Sequence, residues 1–363
     1  MSPQGRPQGE HRSAPHEGTP RTLPAANRQW LLQRRPRGLV TAADLALHRA
    51  PVPTPGDGQV LIRVMLLCMD PTIRNFMNAD PGYGVPIALG EPVRGMVLGR
   101  VVESRDPARC EGELVWGFGS WSDYVVGAGS RFFPVPAHRD HPLPAYVHAL
   151  GTIGLTAHRG LFDVAGLRPG ETVLVSAAAG AVGSLVGQMA RIGGASRIVG
   201  IAGGAEKCSR ATERYGYDVC IDYKDAAGWH RALGDALPDG IDVVFESVGG
   251  ATLEAALERL NKNARVALCG MVARYGATEK TPGPPNLWNL VVSTARIQGF
   301  LITDILGQPA RTGEMLRAID GWIRDGRLRY DIDIRHGFER IPETFNCLFS
   351  GAHAGRLVVD IEA

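Results

Sequence analysis

Between Glu171 and Ser184 the chain reads ETVLVS and then AAAGAVGS, and few folds accept residues in that order. An apolar, β-branched run ends at Ser176. Small residues and Gly180-Ala181-Val182-Gly183 follow, and then apolar residues at helical spacing, Leu185, Val186, Met189, Ala190 and Ile192. This is strand, tight turn and helix. Small residues in the turn let backbone N–H groups approach a pyrophosphate, and the start of the helix adds unpaired donors and a positive dipole end. Close packing of a helix on a strand selects the same residue types, so the flanks have to decide between the two uses.

The flanks repeat the alternation. Arg197 to Ala202 predicts a second strand, Glu206 to Tyr215 a helix, Val219 to Asp222 a third strand, Ile241 to Glu246 a fourth and Arg265 to Gly270 a fifth, with Ile297 to Ile302 a further one. Such alternation builds a parallel sheet with helices on both faces, and ligands bind at the carboxyl ends of its strands. The stretches Val244 to Gly250 and Leu268 to Met271 both end strands in small or polar residues and fit that edge. A fold of this kind that prefers NAD carries Asp or Glu about 20 residues past the first glycine, on the ribose hydroxyl. Here the second strand ends in Ala202-Gly203-Gly204-Ala205, with no acid to repel a 2′-phosphate, and Lys207 follows at the start of the next helix. That favours NADPH over NADH; the bland reading of Lys207 alone is a solvated helix residue.

Before residue 148 the pattern is different. Val60 to Leu67, Met96 to Val102, Glu113 to Phe118 and Trp121 to Val126 predict short strands between Gly- and Pro-rich turns, the signature of a closed or nearly closed barrel. Thr312 to Asp325 has helical spacing, and Gly355 to Ile361 is a strand expected to return to this first domain. The segment Thr281 to Asn286 is too Pro-rich for regular structure and reads equally as an ordered lid or a linker. A chain of 363 residues is long enough for two domains: 27–147 with 321–363, and 148–320. Residues 1–26 are rich in Pro, Gly, Arg and His and are expected to be a disordered tail, without the apolar core of a secretory signal. A net charge of +2 calls for neither nucleic acid nor an acidic membrane, and no apolar run approaches the ~18 residues of a membrane span. The six cysteines are scattered, without metal-site spacing, and read as reduced thiols of a cytoplasmic protein.

Several motifs, in order, carry a resemblance: Met69-Asp70-Pro71 with Arg74, Leu89 to Gly95, Ala177 to Ser184, Gly216 with Asp222-Tyr223-Lys224, Val248-Gly249-Gly250, Cys269-Gly270, Gly283 to Asn286 and Ile297 to Phe300. The chain resembles the zinc-independent double-bond reductases of the medium-chain dehydrogenase/reductase superfamily, which include prostaglandin, 2-alkenal and curcumin reductases. The resemblance implies an α/β fold in which a GroES-like β-rich barrel domain stands beside a Rossmann doubly wound parallel sheet. It also implies a homodimer paired through the nucleotide domain. It places the pyrophosphate on Gly180, Ala181, Val182 and Gly183, and the 2′-phosphate on Lys207 and Tyr223. Cys269, Gly270, Met271 and Tyr275 run along the nicotinamide half, and Phe300, Leu301 and Ile302 match a strand whose backbone meets the carboxamide.

The chain departs from the family in three places. Ser247 stands where Asn commonly precedes Val-Gly-Gly, His353 where the C-terminal Gly-Asp-Asn-x-Gly segment has Asn, and Thr72 where several members carry Tyr after Asp-Pro. Ser247 can still bond a ribose hydroxyl, whereas His353 is larger and titratable. Thr72 leaves the phenol of Tyr275 as the first acid candidate in the substrate pocket, with Tyr83 second; the bland reading of Tyr275 is an aromatic packed on the cofactor. Gly90-Glu91 lacks the intervening His of the zinc dehydrogenases, and there is no cysteine cluster, so no metal is expected. The implied reaction is hydride transfer from NADPH to the β-carbon of an α,β-unsaturated ketone or aldehyde, with protonation of the enolate. Quinone or ketone reduction on the same fold, and NADPH binding without catalysis, are the alternatives.

Overall fold

A computed structural model describes residues 26–277 and 282–362. The tail expected at 1–26 lies outside the described residues up to residue 25, as does Thr281 of the Pro-rich segment; 282–286 have no regular structure up to the turn that opens near Asn286. In chain order the strands are β1 (Asn27–Leu32), β2 (Leu45–Ala50), β3 (Gln59–Cys68), β4 (Arg94–Ser104), β5 (Leu114–Ser120), β6 (Tyr124–Ala128) and β7 (Phe132–Pro134). After them come β8 (Thr172–Ser176), β9 (Arg197–Ala202), β10 (Val219–Asp222), β11 (Ile241–Glu246), β12 (Leu260–Leu268), β13 (Arg296–Gly299), β14 (Ile332–His336) and β15 (Arg356–Asp360).

The six strands β8 to β13 form one parallel sheet in the order β10-β9-β8-β11-β12-β13. The chain lays β9 and β10 to one side of β8 and then crosses back to place β11 on the other. The carboxyl ends of β8 and β11 therefore flank a crevice, the switch point at which such sheets take ligands. All five residues of β8 are buried, as its apolar run demands for a strand covered on both faces.

The β-rich part is a seven-stranded sheet in the order β14-β15-β3-β4-β5-β7, with β6 also on β3. The unbroken apolar run of β3 has a local cause. Val60, Ile62, Val64 and Leu67 belong to the core of this part, whereas Leu66 and Cys68 belong to a second core shared with Ile153, Leu161, Val173 and Leu185 of the nucleotide part. A register shift between Val64 and Leu66 switches the faces, so one strand serves two cores. As expected, the C-terminal strand returns: β15 pairs antiparallel with β3.

Most elements lie where the sequence put them, with displaced edges. Phe300, Leu301 and Ile302 are not in a strand: β13 stops at Gly299, and a short helix, Thr303–Leu306, begins immediately after them. Trp121 is wholly buried but precedes β6, which begins at Tyr124. The helix Pro309–Arg324 runs unbroken through residues 320 and 321. Among the described residues no helix is long and apolar enough to cross a membrane.

Candidate active site

The site begins where β8 ends. Ala177 takes a left-handed backbone (φ 51°), uncommon for a residue with a side chain, and turns the chain sharply after Ser176. Among the described residues the N–H groups of Ala181, Val182 and Gly183 find no acceptor, while the neighbouring Gly180 amide bonds the Ala177 carbonyl at 2.8 Å. These free donors stand at the head of the ten-residue helix Gly183–Ile192, where the dipole is positive. Gly183 has to be glycine here, since a Cβ would lie 2.3 Å from the Ala177 carbonyl oxygen. Gly180 forms an isolated parallel bridge to Gly355, which ties the turn to the start of β15.

Across the switch point the carboxylate of Glu246, 1% exposed, closes the end of β11. Its Oε1 accepts from Ser176 Oγ at 2.9 Å, from the amides of Val248 and Gly249 at 2.7 Å each, and from Thr252 Oγ1 at 3.3 Å. Ser176 Oγ in turn accepts the Ser247 amide at 2.8 Å. One buried acid thus joins the ends of β8 and β11 and holds the Ser247-Val248-Gly249 loop. Burial pushes its carboxyl up, although each of these bonds pulls it down.

Beyond β9 lies a cationic corner. Gly203 is free of a side chain because the Tyr223 ring lies on it: a Cβ would be 2.9 Å from the phenol oxygen. Lys207 has no ion-pair partner among the described residues, and burial, with Lys224 and Arg210 nearby, pushes its ammonium down. His353 lies close enough to Lys207 to feel its charge. Burial and that charge lower its pKa, and its Nδ1–H donates to the Cys347 carbonyl at 3.0 Å, which leaves Nε2 as an acceptor.

A cleft of 1220 Å³ connects this corner to the β-rich part. It is lined by every residue anticipated for cofactor or substrate except Met271, whose side chain packs toward Gly249. At the far end Tyr275, in the short helix Val272–Tyr275, receives the Met271 amide on its hydroxyl at 3.4 Å, and Asn78 donates to its carbonyl at 3.4 Å. Tyr83 packs edge-on against Phe76, with 5.2 Å between centroids, and is close enough to Tyr275 for the two phenols to interact. Burial raises both phenols, so both are neutral donors. Burial also pushes the Cys269 thiol up to about 12, which leaves it no nucleophile. Thr72 lines the same end beside Asp70, whose carboxylate is held by the buried guanidinium of Arg356.

Sequence reading missed several of these groups. Lys224 adjoins Tyr223 in a motif already noticed, and Glu246 is an acid closing an apolar run; both were available as signals. Phe76 and Arg131 reach the cleft with no local signature at all, and Arg94 lies in the Leu89 to Gly95 motif without having been given a role. Among the described residues no three His, Cys, Asp or Glu side chains come together as a metal site.

Residues 28–135 match the family described as N-terminal domain of oxidoreductase, and residues 181–320 the one described as zinc-binding dehydrogenase. NADPH-dependent curcumin reductase of Escherichia coli is 39% identical over 339 residues, covering 92% of this chain and 97% of that protein. The NADP⁺-dependent 2-alkenal reductase of Nicotiana tabacum is 35% identical, over 92% and 97%. The crystal structure of CurA in complex with NADPH from Vibrio vulnificus superposes with a TM-score of 0.85 at 35% identity, over 92% of this chain and 98% of that one. The chain therefore belongs to the medium-chain dehydrogenase/reductase superfamily and, within it, to the group of the curcumin, 2-alkenal and prostaglandin reductases.

Proposed function

We propose that the protein uses NADPH to reduce the C=C bond of an α,β-unsaturated ketone or aldehyde. The observation that carries this reading is the continuity of one cleft, from amides and lysines without partners among the described residues at one end to two neutral phenols at the other. Relatives named for NADPH-dependent curcumin reduction and 2-alkenal reduction support it. The chain's residues fit the cofactor: Gly180 to Gly183 would hold the pyrophosphate, and Lys207, Tyr223 and Lys224 the 2′-phosphate. Ser247, Cys269, Gly270, Met271, Phe300, Leu301, Ile302 and His353 would hold the nicotinamide half, Met271 through its main chain. When bound, the cofactor supplies hydride to the substrate's β-carbon.

The remaining work falls to the chain. Negative charge develops on the substrate carbonyl oxygen as the β-carbon is reduced, and the Tyr275 hydroxyl is the donor that stabilises it. Because burial keeps this phenol protonated, it also serves as a proton source for the α-carbon, with water as the other. Thr72, Tyr83 and Phe76 shape the pocket around the reacting carbons and exclude bulk water. In this reading 27–147 with 321–363 is the substrate-side domain and 148–320 the nucleotide domain.

Two further features belong to the proposal. A homodimer would pair through β13, an edge strand flanked by the exposed Trp288 (70% exposed), Val291 and Val292 of helix Trp288–Val292. Sedimentation at twice the chain mass is expected. A cytoplasmic location is supported by the free cysteines; loss of activity without reductant, restored by thiol, agrees with it.

The deciding experiment follows NADPH oxidation with benzylideneacetone, its saturated ketone and a quinone. Oxidation with the enone alone, yielding the saturated ketone, is expected. Turnover of the quinone or the saturated ketone but not the enone overturns the reading.

A further inference from the structure

The charge along the cleft is lopsided. Among the described residues that line it, Asp70 is the single acid, and Arg356 occupies it. Lys207 and Lys224 stand at the nucleotide end. On the substrate side remain Arg74, Arg94 and Arg131. Arg74 is spent within the fold: it is buried and donates to the carbonyls of Gly38 at 2.9 Å and Pro36 at 2.8 Å and to Asn78 Oδ1 at 2.7 Å. Arg94 gives one nitrogen to the Val85 carbonyl and lies over the Phe76 ring, 5.7 Å from its centroid. Among the described residues it has no carboxylate partner. The side chain of Arg131 has neither a hydrogen bond nor an ion pair among them.

Both cations line the cleft together with Phe118. Met96 stands opposite Phe118 in the β4–β5 pair, and Gly117 opposite Phe132 in the β5–β7 pair. Arg131 ends the 3-10 turn Gly129–Arg131 that leads into β7, with its carbonyl against Gly117, the residue before Phe118. Arg94 lies two residues before Met96 and shares its face. Phe118 is 43% exposed, although a phenyl ring at the edge of a core has good reason to be covered. An open aromatic surface thus shares the cleft with two arginines that lack carboxylate partners among the described residues. Guanidinium groups bind carboxylates in a planar fork and stack on rings; the rings are present here, and the carboxylate is left for a ligand to supply.

Resting on the enone-reductase reading, we propose that the preferred substrate carries a carboxylate remote from its reacting double bond. Arg131 and Arg94 take that carboxylate while its apolar portion lies over Phe118 and Phe76. The NADPH phosphates do not compete, because their cations stand at the opposite end of the cleft.

The test compares kcat/KM for para-carboxybenzylideneacetone with that for its methyl ester. Both substrates share the cofactor site and the reacting carbons, so the acid-to-ester ratio cancels any general loss in a variant. A preference for the acid of about fivefold is expected in the unaltered protein, the scale of one partly exposed ion pair, eroding as salt is added. Arg131→Gln and Arg94→Gln should each bring the ratio toward one, and Arg131→Glu should invert it. A ratio near one in the unaltered protein, or one that these substitutions leave unmoved, overturns the carboxylate site while leaving enone reduction intact. Failure of both compounds to oxidise NADPH overturns the enone-reductase reading, and the carboxylate site with it.

Discussion

At the nucleotide end of the cleft the groups that face a ligand are largely main chain: the amides of Ala181, Val182 and Gly183, and a loop hung on Glu246. At the substrate end they are side chains, namely Thr72 from the short helix Pro71–Phe76 and Tyr83 from a loop of the β-rich part, and Tyr275 from the nucleotide part. The first end works only if its residues stay small, because backbone must come close to backbone. The second is free to change its side chains, and therefore its substrate, without touching the frame. A departure such as Thr72, expected from the resemblance to be Tyr in several members, is therefore compatible with an unchanged turn at Gly180 to Gly183.

Substituting Gly183→Val should break the main-chain end outright. Its Cβ would lie 2.3 Å from a carbonyl, so a stability loss of about 2 kcal/mol or more and loss of NADPH binding are expected from thermal unfolding and ligand titration. Wild-type affinity in that variant would show that the amides are not the site. Tyr275→Phe tests the side-chain end. It should lower kcat by about 100-fold with little change in NADPH affinity, and an unchanged kcat would remove the phenol from the reaction. Between the two ends stands Lys207, a side chain in a main-chain site. Lys207→Gln should raise the KM for NADPH about tenfold and leave NADH unaffected. Equal effects on both nucleotides would place it elsewhere than on the 2′-phosphate.

The smallest effect concerns Glu246 and is read in the pH dependence of stability. Burial raises its carboxyl, so the folded chain holds that proton more tightly than the unfolded chain does. Its contribution is fully present below the ordinary carboxyl range and is lost as pH rises through the raised folded value. Chemical denaturation from about pH 4 to about pH 7 should show that slope in the unaltered protein and not in Glu246→Gln. Identical slopes would mean that the carboxyl titrates as if exposed.

Much of this was visible in the residues. The strand limits at Arg197–Ala202, Val219–Asp222 and Ile241–Glu246 coincide with the expected ones, because short runs rich in Val and Ile between polar or glycine residues leave little choice. The edge at Phe300 to Ile302 was misplaced since apolar residues continue past the strand; that they line a cleft rather than a sheet is decided by the helix that follows. The apolar run of β3 carries no mark of its face switch at Met65, which depends on pairing with β4.

The sequence alone determined the strand-turn-helix at Glu171 to Ser184, the alternation around it and the acid-free end at Gly203. These are consequences of short-range sterics and of charges placed within a few residues. Only the tertiary structure decided that Tyr83 comes near Tyr275, that Gly180 bridges Gly355, that Glu246 ties two strand ends together, and that Arg94 and Arg131 line one cleft with Phe118. Those juxtapositions come from elements distant in the chain, and they form only because two cores sharing one strand set how the two parts of the molecule meet.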